Sequence, residues 1–167
     1  DILKLSALRG LFSAVTDEPI TFVNTPARAA ERGVTAELTT SAESPNHRSL
    51  VDVRAVYPDG SQLNVSGTLT GPQQVQKIVN VNGRNLELRA EGLNLIASYA
   101  DKPGSLGKVG TILGNEGIDI QAAALSQDAD GPGATLLLRV NAEVPDATLT
   151  AIREAVAATT LELVDLS

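Results

Sequence analysis

The chain has 167 residues, enough for one large domain or two small ones, and its formal net charge is −7. An acidic chain lacks the basic surface that nucleic-acid binding normally needs. With no cysteine and one histidine, the sequence excludes disulfides, thiolate zinc sites and cysteine nucleophiles, and we predict no metal site. No apolar run approaches the ~20 residues of a membrane span and no secretory signal is visible, so we expect a cytoplasmic chain that does not bind membranes. Because it lacks methionine and begins at Asp1, we also expect it to be processed or part of a longer protein.

The first half of the sequence predicts two helices followed by an antiparallel sheet. Apolar residues recur at helical spacing between Leu3 and Val15, and Pro26 with Gly33 brackets a second, short helix. Asn82-Gly83 predicts a type I′ hairpin turn. Alternating apolar residues and turn residues predict strands over residues 34–42, 50–57, 62–69, 76–81 and 84–90. We assign this half to a first domain, residues 1–90.

After Ala90-Glu91-Gly92, which is the best candidate for a domain boundary, the order of elements becomes βαββαβ. Strands are predicted over residues 93–100, 118–127, 134–140 and 161–166, and helices over residues 105–116 and from Pro145 onward. This order is that of a ferredoxin-like fold, with helices on one face of an antiparallel sheet. We therefore predict an α+β protein whose second domain spans residues 93–167. The other face of that sheet needs a cover, which indicates a dimer or a neighbouring domain.

The stretch Asp101-Lys-Pro-Gly-Ser-Leu106 joins a predicted strand to a predicted helix. Ser105 is predicted as the N-cap, and the free N–H groups and dipole at the helix start make the loop a weak anion site. Tyr99 and Asp101 are two residues apart and therefore face the same way at the end of the strand. An amino acid could place its ammonium on Asp101 and its carboxylate on the N–H groups of Gly104 and Ser105. The alternative is an ordinary strand-to-helix turn without a ligand.

Four basic residues stand out in this acidic sequence: Lys77, Arg84, Arg89 and Arg139. Because arginine forks match phosphate and carboxylate groups, the four predict a site for an anionic ligand. The alternative is that they are solvated side chains lying along apolar surface. In a regular two-residue hairpin, Lys77 and Arg84 fall on one face and Arg89 on the other. A single site therefore needs an irregular hairpin or a shared edge.

The segment Leu93–Gly110, followed by Gly117-Ile-Asp-Ile-Gln121, resembles an ACT domain. It is similar to the ACT domain that ends bacterial D-3-phosphoglycerate dehydrogenases. The preceding half resembles the intervening, or allosteric substrate-binding, domain of the long actinobacterial type of this family. The segments that carry this second resemblance are Ser44-Pro-Asn-His-Arg48, Val65-Ser-Gly-Thr-Leu69 and Asn82-Gly-Arg84, and the terminal Val164-Asp-Leu-Ser167 also fits that type.

The resemblance implies a regulatory piece of an enzyme that oxidises 3-phosphoglycerate with NAD in the first step of serine synthesis. The catalytic and NAD-binding domains would precede Asp1, and the intervening domain would be truncated at its start. This chain alone would then have no catalytic residues, no cofactor and no enzymatic activity.

In this family L-serine binds as a feedback inhibitor between the ACT domains of two subunits. The matching positions here are Tyr99, Asp101 and, across the interface, Asp119. The family usually has Asn at the last position, and the carboxylate of Asp119 suits an ammonium better than a carboxylate. The resemblance also implies an effector or substrate-anion site at the four basic residues Lys77, Arg84, Arg89 and Arg139.

Two other functions remain open from the sequence. One is a structural dimerisation module whose ligand loop binds nothing. The other is the regulatory part of an iron–sulfur L-serine dehydratase, whose cluster ligands would lie outside this chain. The segments that resemble the intervening domain and the ending Val164–Ser167 favour the dehydrogenase.

Overall fold

The computed structural model describes residues 2–44, 46–128 and 130–167, which form two compact units, residues 1–46 and 47–167. The first unit contains α1 (Ile2–Ser13) and α2 (Thr25–Glu31), as the sequence predicts. The Thr25 hydroxyl donates a hydrogen bond of 2.7 Å to the carbonyl oxygen of Thr21 and so stabilises the start of α2. The core of this unit consists of four side chains, namely Leu8, Phe12, Ile20 and Ala29.

The strand predicted over residues 34–42 is wrong, because this described segment contains no strand. Val34 packs against the small core, and its N–H donates to the carbonyl oxygen of Ala29 at 2.8 Å. An alternating apolar pattern makes a strand only where a neighbouring strand can pair with its backbone. The described part of this unit provides no such neighbour. Pro45, in the segment Ser44–Arg48 that carries part of the family resemblance, lies outside the described residues.

The second unit begins with a four-stranded antiparallel sheet in sequence order. Asn82 and Gly83 join its last two strands with φ angles of +50° and +81°, and positive values at both positions are those of the predicted type I′ turn. Each of the four strands confirms a strand predicted from the sequence to within one or two residues. They are β1 (Val51–Val56), β2 (Gln62–Thr70), β3 (Val75–Val81) and β4 (Arg84–Arg89).

The chain continues into a second antiparallel sheet with the strand order β6-β7-β5-β8. Two helices, α3 (Ser105–Asn115) and α4 (Asp146–Val156), cover one face with an apolar core that includes Val109, Leu113 and Ile152. This arrangement confirms the predicted α+β class with a ferredoxin-like second part. The strands are β5 (Leu93–Ala100), β6 (Ile120–Gln127), β7 (Gly133–Val140) and β8 (Thr160–Asp165).

The first sheet covers the other face of the second sheet. Leu137 of β7 is fully buried in a cluster with residues of β3 and β4, namely Ile78, Val81, Leu86 and Leu88. The cover that the sequence analysis called for therefore comes from the preceding sheet of the same chain. No helix among the described residues is long and apolar enough to cross a membrane.

The link between the two sheets is short and hydrogen-bonded. Asn94 is fully buried, and its side-chain amide donates to the carbonyl oxygens of Glu91 and Gly92 at 2.9 and 2.8 Å. The N–H of Leu166 also donates to Gly92. The domain boundary at residues 90–92 stays a prediction, and these bonds fix the path of the chain through it.

Candidate functional site

A pocket of about 450 Å³ lies at the start of α3. The loop from Asp101 to Gly107 forms one wall of it. The opposite wall comes from the end of β6 and from the loop that leads into β7, with Gln127, Asp128 and Gly133 among its residues. We call this feature the Asp101 pocket. It is large enough for a small molecule such as an amino acid.

The helix α3 begins one residue earlier than a Ser105 cap would require. Gly104 is the N-cap residue, and its φ of +87° is a conformation that glycine adopts without strain. Ser105 is the first helical residue, and its hydroxyl accepts a hydrogen bond of 3.2 Å from the N–H of Lys102. The prediction that Ser105 is the N-cap is therefore wrong, because the left-handed turn at Gly104 already redirects the chain.

The same loop uses one of the N–H groups that the sequence analysis assigned to a carboxylate. The N–H of Ser105 donates to the carbonyl oxygen of Lys102 at 3.0 Å. The first turn of any α-helix has further N–H groups without an intrahelical acceptor. In α3 these belong to Leu106 and Gly107, which also line the pocket. They offer an anion the positive end of the helix dipole.

Two contacts from the facing wall hold Asp101. Its N–H donates to the carbonyl oxygen of Pro132, and its carboxylate accepts a hydrogen bond from the side-chain amide of Gln127. A carboxylate has room for about four hydrogen bonds, so this one to Gln127 leaves capacity for an ammonium group. The sequence analysis missed Gln127, which becomes visible only when β6 pairs beside β7.

Tyr99 is buried in the core between the sheet and the helices, where it is 3% exposed. Its hydroxyl is buried and has no hydrogen-bond partner among the described residues. Burial, reinforced by the charge of Asp101, raises the pKa of the Tyr99 phenol above its ordinary value. A buried hydroxyl without a partner carries a desolvation cost of about 1–3 kcal/mol, which a hydrogen bond to a ligand would relieve.

Asp119 lies at the other end of β6 from the Asp101 pocket. Eight residues of β6 separate it from Asp128, a span of roughly 25 Å. Asp119 is exposed, and its N–H donates to the side-chain oxygen of Asn141 at 2.9 Å. One copy of the chain therefore does not bring Asp119 to Asp101, and a shared site requires Asp119 from a second copy.

The four basic residues do not lie on one face of the first sheet. The register between β3 and β4 shifts between Ile78 and Asn80, so Lys77 pairs with Arg89 and not with a core residue. The hairpin is therefore irregular, which is one of the two arrangements that a single site for these residues requires. The irregular register at Val79 breaks the strict alternation under which Lys77 and Arg84 would share a face.

Arg84 lies on the inner side of the hairpin and contacts the second sheet. Its Nε and Nη2 donate to the two carboxylate oxygens of Asp128 at 2.7 and 3.0 Å. Its Nη1 donates to the hydroxyl of the fully buried Thr135 at 3.2 Å. The hydrogen bonds from Arg84 lower the pKa of the Asp128 carboxyl. We call this set of contacts the Arg84 bridge.

The other three basic residues are not held by the two-oxygen grip that Arg84 has on Asp128. Lys77 forms an ion pair with Glu87, and its hydrogen bond lowers the pKa of that carboxyl. Arg139 forms an ion pair with Glu91 in the link between the sheets. Arg89 is exposed. Surface ion pairs of this kind contribute little to stability, so an anion could displace them.

Two family profiles match the chain, and they fall on its two halves. The "D-3-phosphoglycerate dehydrogenase intervening domain" matches residues 1–82, and the "ACT domain" matches residues 94–157. The chain joins an intervening domain of this type to an ACT domain. Of the candidate residues, Lys77 lies within the intervening-domain match, whereas Arg84 and Arg89 lie between the two matches. The Asp101 loop, Asp119 and Arg139 lie within the ACT match.

The chain is also similar to curated proteins that are named D-3-phosphoglycerate dehydrogenase. The chain is 64% identical to a D-3-phosphoglycerate dehydrogenase of Mycobacterium leprae (strain TN) and 65% identical to one of Mycobacterium tuberculosis (strain ATCC 25618 / H37Rv), over all 167 residues. It spans about a third, 32%, of the length of each of these relatives. A D-3-phosphoglycerate dehydrogenase of Archaeoglobus fulgidus is 28% identical over 145 residues, which are 87% of this chain and 27% of that relative.

Proposed function

We propose that this chain is the regulatory region of a D-3-phosphoglycerate dehydrogenase and that its Asp101 pocket binds L-serine as a feedback inhibitor. The parent enzyme would oxidise 3-phosphoglycerate with NAD in the cytoplasm, using catalytic and NAD-binding parts that this chain lacks. The chain itself would act only by binding. Support comes from the paired domain matches and from relatives that all carry the name of this enzyme.

The Asp101 pocket carries the proposal, because its walls offer a group for each of the two charges of an amino acid. Asp101 supplies a negative charge for the ammonium, held in place by Gln127. The first turn of α3 supplies N–H groups for the carboxylate. The buried hydroxyl of Tyr99, which is two residues before Asp101 and does not line the pocket, would gain a partner only if the bound ligand or a water reached it.

The site would be completed by a second copy of the chain. Asp119 of the partner subunit would approach the ammonium of serine, since Asp119 and Asp101 of one copy lie at opposite ends of β6. Serine would therefore stabilise a dimer of ACT domains. Serine would act on a distant active site by shifting the balance between two arrangements of the subunits. It can shift that balance only by the difference between its binding free energies for the two arrangements.

The residues Lys77, Arg89 and Arg139 would bind a phosphorylated or carboxylate effector. All three are basic and at least partly exposed, and Lys77 pairs with Arg89 across the hairpin. Two like charges opposite each other in a sheet are unfavourable unless an anion lies between or beside them. Glu87 already lies beside Lys77 as its ion-pair partner, so a bound effector would take over that role and contact both basic groups.

Calorimetric titration of the chain with L-serine tests the main proposal, with glycine and D-serine as competing ligands. We expect L-serine to bind, and Asp101→Asn to weaken it roughly 10- to 100-fold, because a hydrogen bond to a charged group is worth about 1.5–3 kcal/mol. Glu162→Gln on the exposed edge of the ACT sheet is the control and should leave binding unchanged. A folded dimer that binds none of the three ligands would instead be a structural dimerisation module.

A further inference from the structure

Arg84 connects the first sheet to the wall of the Asp101 pocket. All three nitrogen atoms of its guanidinium donate hydrogen bonds, two to Asp128 and one to Thr135. Asp128 comes directly after β6 and lines the pocket. These contacts use three of the five N–H groups of the guanidinium, including the pair that grips a carboxylate, so that pair is not available to an anion from solution.

The contact between Arg84 and Asp128 lies so close to the backbone of Gly133 that a side chain would not fit at this position. A Cβ atom placed on Gly133 would lie 2.1 Å from Oδ2 of Asp128 and 2.9 Å from Nη2 of Arg84. The φ angle of Gly133 is not in the left-handed region, so glycine is needed here for space and not for conformation. The Asp128 carboxylate therefore lies directly against the backbone where β7 begins.

The bridge fixes the segment that holds Asp101. The N–H of Asp128 donates to the carbonyl oxygen of Gly133 at 2.7 Å, which closes the loop between β6 and β7. Two further hydrogen bonds join this wall to Asp101. The carbonyl oxygen of Pro132 accepts one from the N–H of Asp101, and the side-chain amide of Gln127 donates one to the Asp101 carboxylate. A change at Arg84 would thus reach Asp101 through Gln127, Asp128, Pro132 and Gly133.

We propose that Arg84 is a positioning residue of the Asp101 pocket and not a ligand of the anionic effector. It holds Asp128 against Gly133 and thereby sets the wall that orients Asp101 toward the ammonium of the bound amino acid. This inference rests on the proposed function of the pocket. It divides the four basic residues into a positioning residue, Arg84, and three candidates for anion binding.

The experiment uses the full 167-residue chain and three variants. Arg84→Lys keeps the charge but loses the fork, and Asp128→Asn keeps the shape of its partner but loses the charge. Arg89→Lys is the control, because it makes the same chemical change on the outer side of the same strand. Each protein is titrated with L-serine and with inorganic phosphate, and amide hydrogen exchange is followed at Asp101 and Asp128.

We expect Arg84→Lys and Asp128→Asn each to speed exchange at both amides and to weaken L-serine binding roughly 10- to 100-fold, as small misplacements of a binding group do. The double variant Arg84→Lys/Asp128→Asn should bind L-serine as tightly as either single variant, because each single change already removes the same contact. Arg89→Lys should leave exchange and serine affinity unchanged and weaken phosphate binding.

Two results would overturn the inference. In the first, Arg84→Lys leaves amide exchange and serine affinity as they are but weakens phosphate binding, which would make Arg84 an anion ligand. In the second, the wild-type chain binds no L-serine and exchange at Asp101 is the same in wild type and Arg84→Lys. If the wild type binds no serine but Arg84→Lys still speeds exchange, the proposed function fails and the positioning role of Arg84 is supported.

Discussion

The two faces of the ACT sheet are built in different ways, and β7 shows both. Leu136 and Leu138 point to the helix-covered face, where they join an extensive apolar core. The intervening positions point to the first sheet, where the apolar contact through Leu137 is flanked by polar contacts of Thr135 and Arg139. The helix face is held mainly by apolar burial, with a hydrogen bond from Arg153 of α4 to the carbonyl oxygen of Leu161 at its edge, whereas the sheet face combines burial with several polar contacts.

This difference indicates where a ligand can act. An apolar core has one close-packed arrangement and resists small displacements. A contact made of a few directional bonds can exist in two arrangements that differ by little free energy, and a ligand that binds one of them better shifts the balance. We therefore expect regulation to act on the sheet-to-sheet contact and stability to reside in the helix-covered core.

The largest expected effect comes from truncating adjacent leucines of β7. Leu137 and Leu138 are both fully buried but lie on opposite faces. Each change to alanine should cost about 2–5 kcal/mol in the free energy of unfolding, measured by urea denaturation. Hydrogen exchange should separate them, because Leu137→Ala should expose the amides of β3 and β4 while α3 and α4 stay protected. The same pattern of exchange in both variants would refute the difference between the faces.

Much of the second sheet could be predicted from the sequence because its signals are local. The strand β5 was predicted with its observed bounds, since a continuous apolar run ends at the turn-forming Pro103-Gly104. The Asp101 loop was recognised for the same reason. Local propensity failed at residues 34–42, where alternation was present but the described chain has no partner strand.

The parts of the site that could not be predicted depend on contacts between distant residues. The pairing of Lys77 with Arg89 follows from the register irregularity at Val79, which a rule of strict alternation does not contain. Arg84 and Asp128 are 44 residues apart in the chain. A local sign of their contact is the glycine-rich stretch that ends at Gly133. The need for glycine there can be recognised only once Asp128 and Arg84 are known to lie against it.

The next largest effect should come from filling the space at Gly133. Gly133→Ala would place a methyl group onto Asp128 and Arg84, and overpacking of this kind typically costs about 1–3 kcal/mol. Gly131→Ala is a matched control, because its Cβ would meet only the Cβ of Asp128, at 4.0 Å. Urea denaturation should therefore show a clear loss for the first variant and a change within about 0.5 kcal/mol for the second. Equal losses would mean that the bridge does not restrict this position.

A smaller effect should appear in the pH dependence of stability. Arg84 lowers the pKa of Asp128 in the folded chain. A carboxyl whose folded pKa is depressed contributes stability at pH values above its unfolded pKa and loses it as the pH falls through the folded value. Acidification from neutral pH should thus destabilise the wild type more than Asp128→Asn.

Urea denaturation at several pH values measures this difference, and a second background isolates its cause. In an Arg84→Gln chain, Asp128→Asn should no longer change the pH dependence, because the charged hydrogen-bond donor that lowers the pKa of Asp128 is gone. If Asp128→Asn reduces the loss of stability at low pH equally in the wild-type and Arg84→Gln backgrounds, a group other than Arg84 lowers the pKa of Asp128.

The smallest effect on stability is expected at Tyr99, whose ring belongs to the helix-side core. Because its hydroxyl has no partner among the described residues, Tyr99→Phe should change the free energy of unfolding of the ligand-free chain by less than about 1 kcal/mol, in either direction. The same variant should bind L-serine more weakly if the hydroxyl contacts the ligand. In a Tyr57→Phe background, which leaves Tyr99 as the remaining tyrosine, ultraviolet titration should find its pKa above the ordinary value. A large loss of stability without ligand would instead show that the hydroxyl already has a structural partner, and Tyr99 would then belong to the core and not to the site.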